Sequence, residues 1–297
     1  MASKDAQMTM TDPGMVDDVL AAGSRRREVG LGSARSSLLT ILGEFVYPRG
    51  TPVWTATLVA ALGELNIEEK AARQAIARSA ADGVLESTKS GRRVCWHITP
   101  PGTRLLREGT RRIYGFLTDT AVWDGNWFVL SVAIPETQRQ LRHKLRTRLT
   151  WLGMGSPSPG IWILPDASRA DEVAAVVDEL ALTGRAFGWT GKLAAVGDTA
   201  TLLADAWSLD DVEQQYGEFI ATFERAQAAT PREAFQAQTR LVQAWRRFPF
   251  LDPALPRELL DHDWPGPPAA AVFHSRHSEW HTPAQQYWSE LLETTSS

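Results

Sequence analysis

Apolar residues recur at three- and four-residue steps in successive segments after residue 33. Leu38, Ile41, Leu42 and Phe45 make such a stripe over Ala34–Val46, and Pro48-Arg49-Gly50 ends it. Val53-Trp54 reads as a short strand, with Thr55 as the cap of a helix over about Ala56–Leu65. A further helix opens at Ile67-Glu68-Glu69 and runs to about Ala81, where Asp82-Gly83 tolerates the backbone of a helix end. Its inward stripe is Ala72, Ala75, Ile76 and Ser79, which turns Arg73, Gln74, Ala77 and Arg78 outward. The period then shortens to two. Val84-Leu85 starts a strand, Lys89-Ser90-Gly91-Arg92 turns, and Arg93–Ile98 returns. Thr99-Pro100-Pro101-Gly102 leads into a basic helix ending near Tyr114. Three helices, a hairpin and a following helix are the order of a winged helix-turn-helix.

A second pattern begins after Trp123-Asp124-Gly125-Asn126. Trp127–Ile134 alternates like a strand, Pro135-Glu136 opens a helix to about Trp151, and Gly160–Leu164 is strand-like. An Ala/Val-rich helix over Ala170–Leu182 and one or two strands in Ala186–Val196 follow. That β-α-β order with a second helix and a closing strand predicts a ferredoxin-like sandwich. After Asp198 the pattern is helical, near Leu209–Gln227, Pro231–Arg247 and Ala269–Glu293, with a Pro-rich loop before the last. The expected class is α+β in four segments. Residues 1–32 are a flexible arm, 33–115 a winged helix-turn-helix DNA-binding domain, 116–197 a ferredoxin-like central domain, and 198–297 a mainly helical C-terminal domain.

Charge changes this picture only locally. The 297 residues carry a formal net charge of -4, which does not announce a polyanion binder. Between Glu86 and Arg112, however, seven basic residues face two acidic ones, a patch suited to phosphates. Arg25-Arg26-Arg27 in the arm is read as solvated. Cys95 is the single cysteine, so no intrachain disulfide can form, and a reducing cytoplasm is the simplest setting. No apolar run reaches the length of a membrane span.

In a helix-turn-helix the second helix of the pair enters the major groove. Arg73 and Arg78 then suit guanine, Gln74 suits adenine, and Lys70 suits a phosphate at the helix start. Lys89, Arg92 and Arg93 on the hairpin suit phosphate or minor-groove contacts. The middle region pairs a cationic helix, with Arg139, Arg142, Arg146 and their neighbours, with Trp123, Trp127 and Trp151. That combination permits an anionic effector with an aromatic tail, though a basic solvated helix over an aromatic core reads equally well.

Several segments resemble the PaaX family of transcriptional repressors of phenylacetate catabolism. They are Ala34–Val46 with Pro48-Arg49-Gly50, Ala72–Arg78, Arg112-Ile113-Tyr114-Gly115, Trp123–Trp127 and Ile134-Pro135-Glu136. Leu149–Gly155, Pro159–Ile163, Phe248–Pro256, Leu260 and Asp263-Trp264-Pro265-Gly266 extend the likeness, which spans about Ala34 to Trp288. Ser79 and Ala80 depart from it, standing where larger apolar residues are expected. The resemblance implies a homodimeric cytoplasmic repressor acting on a double-stranded DNA operator. It also implies an acyl-CoA effector such as phenylacetyl-CoA, with Ala72–Arg78 in the recognition helix.

Other chemistry is discounted. His274, His277 and His281 share a face if helical, yet such spacing arises often on amphipathic helices, and no metal site is assigned. Asp119, Asp124 and Asp166 do not form a convincing nuclease spacing. No nucleophile elbow, Walker loop or dinucleotide fingerprint is present, so no catalytic residue and no cofactor is assigned. A metal-dependent nuclease built on the central domain, or a winged-helix scaffold that binds only protein, are the alternatives.

Overall fold

The computed structural model describes residues 33–118 and 122–296. The expected arm with Arg25-Arg26-Arg27, and Asp119, lie outside them. In chain order the elements begin with α1 (Ala34–Ile41), β1 (Val53–Trp54), α2 (Thr55–Gly63), α3 (Glu69–Ala81), β2 (Leu85–Ser90), β3 (Arg93–Ile98) and α4 (Pro100–Tyr114). There follow β4 (Trp127–Val132), α5 (Arg139–Trp151), β5 (Gly155–Ser158), β6 (Ile161–Leu164), α6 (Ala170–Glu179) and β7 (Ala186–Gly191). The rest is helical: α7 (Thr199–Ala206), α8 (Leu209–Phe223), α9 (Pro231–Trp245), a single turn at Phe248–Leu251, and α10 (Gly266–Ser296).

Two compact units result, and neither is continuous in sequence. One holds the chain through Tyr114, Ala226–Arg246 and the stretch from Phe273 onward; the other holds Gly115–Arg225 and Arg247–Val272. The segment after Asp198, which the pattern groups as one helical region, thus contributes to both.

In the first unit Ser33 caps α1 by accepting from the Ser36 amide. The winding then widens into a π-helical turn over Leu42–Val46, and such turns gather at functional positions. Thr55 is the first residue of α2, and Trp54 takes the cap position without a side-chain bond. The Thr55 hydroxyl is occupied elsewhere: it donates to the Val94 carbonyl at 3.1 Å and accepts from Trp96 Nε1 at 2.8 Å. The antiparallel sheet runs β1-β3-β2. Ser90 pairs with Arg93, so the turn is only Gly91-Arg92, and Gly91 takes φ +61°. Lys89, expected in the turn, is in the strand. Gly102 lets the start of α4 lie against the hairpin, since a Cβ there would stand 2.3 Å from the Val84 carbonyl oxygen. The core joins the first helix to the chain's last third. Phe45 packs on Phe235 and Trp288 at 4.8 and 5.6 Å between centroids, and Trp245 stacks on Phe273 at 4.9 Å.

In the second unit four antiparallel strands run β5-β6-β4-β7. Alternation along the strands divides the core in two. Phe128, Leu130, Val132, Trp162 and Leu164 face α5 and α6 through Leu145, Leu149, Val173 and Val177. Trp127 and Ile163 face the other way, onto Leu203 of α7 and Leu255. Neither β5 nor α7 was evident from the pattern. The first is four residues long and carries Gly155 and Pro157; the second is capped by Asp198, which accepts from the Thr201 amide. At the sheet edge, β7 leaves Phe187 71% and Trp189 51% exposed.

Candidate nucleic-acid interface

The apolar period of α3 produces its working face. Ala72, Ala75, Ile76 and Ser79 are buried, and Lys70, Arg73, Gln74 and Arg78 are exposed. Ser79 shows why that face is narrow: its hydroxyl is buried without a hydrogen-bond partner, at a position suited to an apolar side chain. Arg73 pairs with Glu69 one turn earlier at 2.7 Å. An exposed pair of this spacing contributes about 0.3–0.5 kcal/mol, so a phosphate or base edge can displace it. Gln74 and Arg78 border a cavity that also touches Arg35 and Arg246.

The hairpin continues the cationic surface. Glu86 to Ser90 are all exposed, and Lys89 and Arg92 stand out from the end of the ribbon. Arg93 is different. Its Nη2 donates to the Thr295 carbonyl at 2.7 Å, and its guanidinium lies 4.4 Å over the Trp54 ring. The third hairpin cation thus ties β3 to the end of α10 and is not free to follow a phosphate. Arg107 and Arg111 of α4 are exposed. Burial pushes the Cys95 thiol up from its ordinary value, so it stays protonated and inert.

Behind this surface lies a buried polar cluster that the sequence did not signal. Glu44, in the π turn, accepts from the Tyr114 hydroxyl at 2.6 Å and from Gln238 Nε2 at 2.8 Å. His277 Nε2 lies 2.9 Å from Glu44 and 2.8 Å from the Tyr114 oxygen. Burial pushes the Glu44 carboxyl up. The hydrogen bond and charge of His277, with Tyr114 and Gln238, outweigh it and hold the group below the usual carboxylate range. An ionised carboxylate only accepts, so the facing His277 nitrogen is assigned its proton. The cluster connects the π turn that follows α1 with α4, α9 and α10. Glu44 reads in sequence as one more polar residue of an amphipathic helix; the widened turn and three remote partners bury it.

The expected effector residues do not converge. Trp123 and Trp127 meet edge to face at 5.3 Å, on the α7 side of the second sheet. Arg139, Arg142, Arg146 and Trp151 belong to α5, on the opposite side. Arg142 pairs with Glu136 at 2.5 Å, Arg146 lies 5.8 Å over the Trp162 ring, and Trp151 packs on Phe250 at 4.5 Å. One site cannot use both sets, because the sheet stands between them. The strand alternation decides this, and spacing along the chain does not reveal it.

The other candidates resolve locally. Asp124 accepts from the Asn126 amide and side chain at 2.8 and 2.7 Å, and Asp166 accepts from the Ser168 amide at 3.0 Å. His262 is fully at the surface beside Asp263. Among the described residues no three His, Cys, Asp or Glu side chains gather as a metal site would require, and no helix is long and apolar enough to cross a membrane.

Three family models match successive parts of the chain. They are the PaaX-like protein model over residues 33–102, the PaaX protein central Cas2-like domain over 120–203, and the PaaX-like protein C-terminal domain over 207–290. The transcriptional repressor PaaX of Escherichia coli is 28% identical over 245 residues, which are 79% of this chain and 76% of that one. Among solved structures, an uncharacterized protein of Mycobacterium tuberculosis superposes with a TM-score of 0.60 at 22% identity, covering 86% of this chain and 99% of that one. The last likeness concerns the fold alone.

Proposed function

Because this chain belongs to the PaaX family, we propose that it is a DNA-binding transcriptional repressor whose α3 reads the operator. The observation that carries this reading is the two-sided character of α3. Its buried stripe anchors it, and Lys70, Arg73, Gln74 and Arg78 face solvent beside a hairpin bearing Lys89 and Arg92. In this reading α2 and α3 are the helix-turn-helix, β2–β3 the wing, and α4 a cationic flank. The strand-helix-strand-strand-helix-strand order of the second unit supports a ferredoxin-like sandwich.

Repressors of this geometry bind as two-fold dimers to half-sites about one DNA turn apart. The apolar edge strand β7 suits a self-complementary contact, since exposed edges with large apolar side chains are otherwise liabilities. Such a protein works in the cytoplasm, where its operator is. An aryl-acyl-CoA, phenylacetyl-CoA among them, is the proposed effector. The α5 face with Arg139 and Arg146 is the place proposed for its phosphates; the Trp123–Trp127 pair belongs to the other face. The effector weakens DNA binding to the extent that it prefers a dimer with mis-spaced recognition helices.

The test is selection of genomic fragments by the purified protein, repeated with a panel of acyl-CoA thioesters. Enrichment of a two-fold site, lost with an aryl-acetyl thioester, is expected. Failure to retain any DNA at low salt would overturn the DNA reading; retention that no thioester alters would overturn the effector.

A further inference from the structure

Arg246 sits at the end of α9, in the first unit, and among the described residues no acidic side chain faces it. Its Nη1 donates to the Ser36 carbonyl at 3.2 Å and to Thr40 Oγ1 at 3.3 Å. Its other nitrogens donate to no protein atom among the described residues. Burial alone pulls its pKa down to about 10, so the guanidinium remains charged at neutral pH. Arg246 is half-buried, and a partly desolvated cation without a counter-charge is favoured when an anion neutralises it.

The space beside it is a cavity of about 360 Å³. Arg35, Arg78 and Arg246 line it with Ser36, Gln74 and Leu39, and among the described residues its wall holds no Asp or Glu. At its rim Arg35 is paired with Asp82 at 2.7 Å. Three guanidiniums less one carboxylate leave a local charge of two, which a phosphate monoester dianion matches and a backbone diester, a monoanion, neutralises by half. Guanidinium forks fit its oxygens two at a time.

We propose that this cavity is a phosphate-binding site, with the half-buried Arg246 as the anchor and the more exposed Arg78, with Arg35, as the outer clamps. The phosphate is carried either by the DNA backbone or by a phosphorylated small molecule. The site is built from the first unit alone and does not depend on the acyl-CoA reading. Since Gln74 and Arg78 are on α3, an occupant touches the proposed reading helix itself. A small molecule there would tune DNA binding directly, and a backbone phosphate would fix the helix in register.

The experiment uses the full chain with inorganic phosphate as the probe, read by thermal unfolding against chloride at equal ionic strength. Wild type is expected to gain stability with saturable dependence on phosphate. Arg246→Met is expected to match or exceed wild-type stability in chloride and to lose the phosphate response. Gln74→Glu, an exposed change that leaves the fold intact, brings a carboxylate to the cavity and is expected to abolish the response as well. A non-saturating wild-type response like that of an excluded salt, or a Gln74→Glu or folded Arg246→Met protein that responds as wild type does, would overturn the proposal. The salt dependence of DNA binding then separates the sources. A slope shallower by about one unit in Arg246→Met assigns the site to the DNA backbone; an unchanged slope with the phosphate response lost assigns it to a small molecule.

Discussion

Glu44 in the first unit and Asp252 in the second are both buried carboxyls that accept from a tyrosine hydroxyl at 2.6 Å. Their pKa values shift in opposite directions. Burial pushes Asp252 up, and the bonds from Tyr216 and the Ala254 amide do not offset it. At Glu44 burial acts in the same direction but is outweighed, because His277 and Gln238 stand beside Tyr114. Each carboxyl has a tyrosine and one further neutral donor, and the His277 ring, present only at Glu44, goes with the opposite outcome. The direction in which a buried carboxyl shifts follows the donors and charges the fold aims at it, and desolvation alone does not decide it. The surfaces differ in parallel: the first unit presents exposed cations on α3 and the hairpin, the second an apolar edge strand.

The largest expected effect comes from breaking the charged cluster. Glu44→Ala strands the donors of His277, Tyr114 and Gln238 and should cost about 3–5 kcal/mol in denaturant unfolding. Because the folded pKa of Glu44 is lowered, its contribution is present above the unfolded carboxylate value and is lost as pH falls through the folded one. Glu44→Gln should therefore flatten the acid limb of a stability–pH profile. An unchanged limb would mean that the carboxylate is not ionised in the fold.

Next in size is the apolar edge. Phe187→Glu with Trp189→Glu should weaken self-association by about 2–3 kcal/mol, from the lost burial of two large side chains. Sedimentation at several concentrations measures it, and a dimer indifferent to both changes would place the interface elsewhere.

On the cationic side, Arg73→Ala and Arg78→Ala should each weaken specific DNA binding by about 1–3 kcal/mol and relax base preference. The hairpin sharpens the comparison. Arg92→Ala should reduce the salt slope by about one unit for all sequences, whereas Arg93→Ala should act mainly on stability, through Thr295 and Trp54. Equal salt slopes in the two variants would equate the two arginines.

The smallest effect belongs to the carboxyl whose pKa is raised. The raised folded pKa of Asp252 means that its contribution is complete below the unfolded value and is lost as pH rises through the folded one. Asp252→Asn, whose amide can still bond Tyr216, should be neutral or stabilising by up to about 1 kcal/mol near pH 7, with no gain in acid. A strong loss at neutral pH would show that the charge itself is needed there.

Much of this molecule is written in local pattern. The stripes of α1 and α3, the period-two hairpin around Gly91, and the cluster of basic residues from Lys89 to Arg112 could be read directly, because periodicity and turn chemistry act between near neighbours. That is also why Lys70, Arg73, Gln74 and Arg78 were found on the solvent side of α3. Short or irregular elements escaped: β5 carries too few alternating positions to stand out, and the cap that starts α7 lies in a stretch without a strong apolar stripe.

What only the tertiary structure decided involves residues far apart in the chain. It buried Glu44 by bringing Tyr114, Gln238 and His277 to it, and it tied Arg93 to Thr295 across 202 positions. It set Trp127 and Arg146 on opposite faces of one sheet, and it left Arg246 charged beside a cavity without acids. The sequence determines which residues must leave water, since the hydrophobic period is a property of each segment. Which polar groups go in with them, and which partners they meet there, depends on how segments pack. A polar position looks the same along the chain whether its partner is solvent or a side chain two hundred residues away.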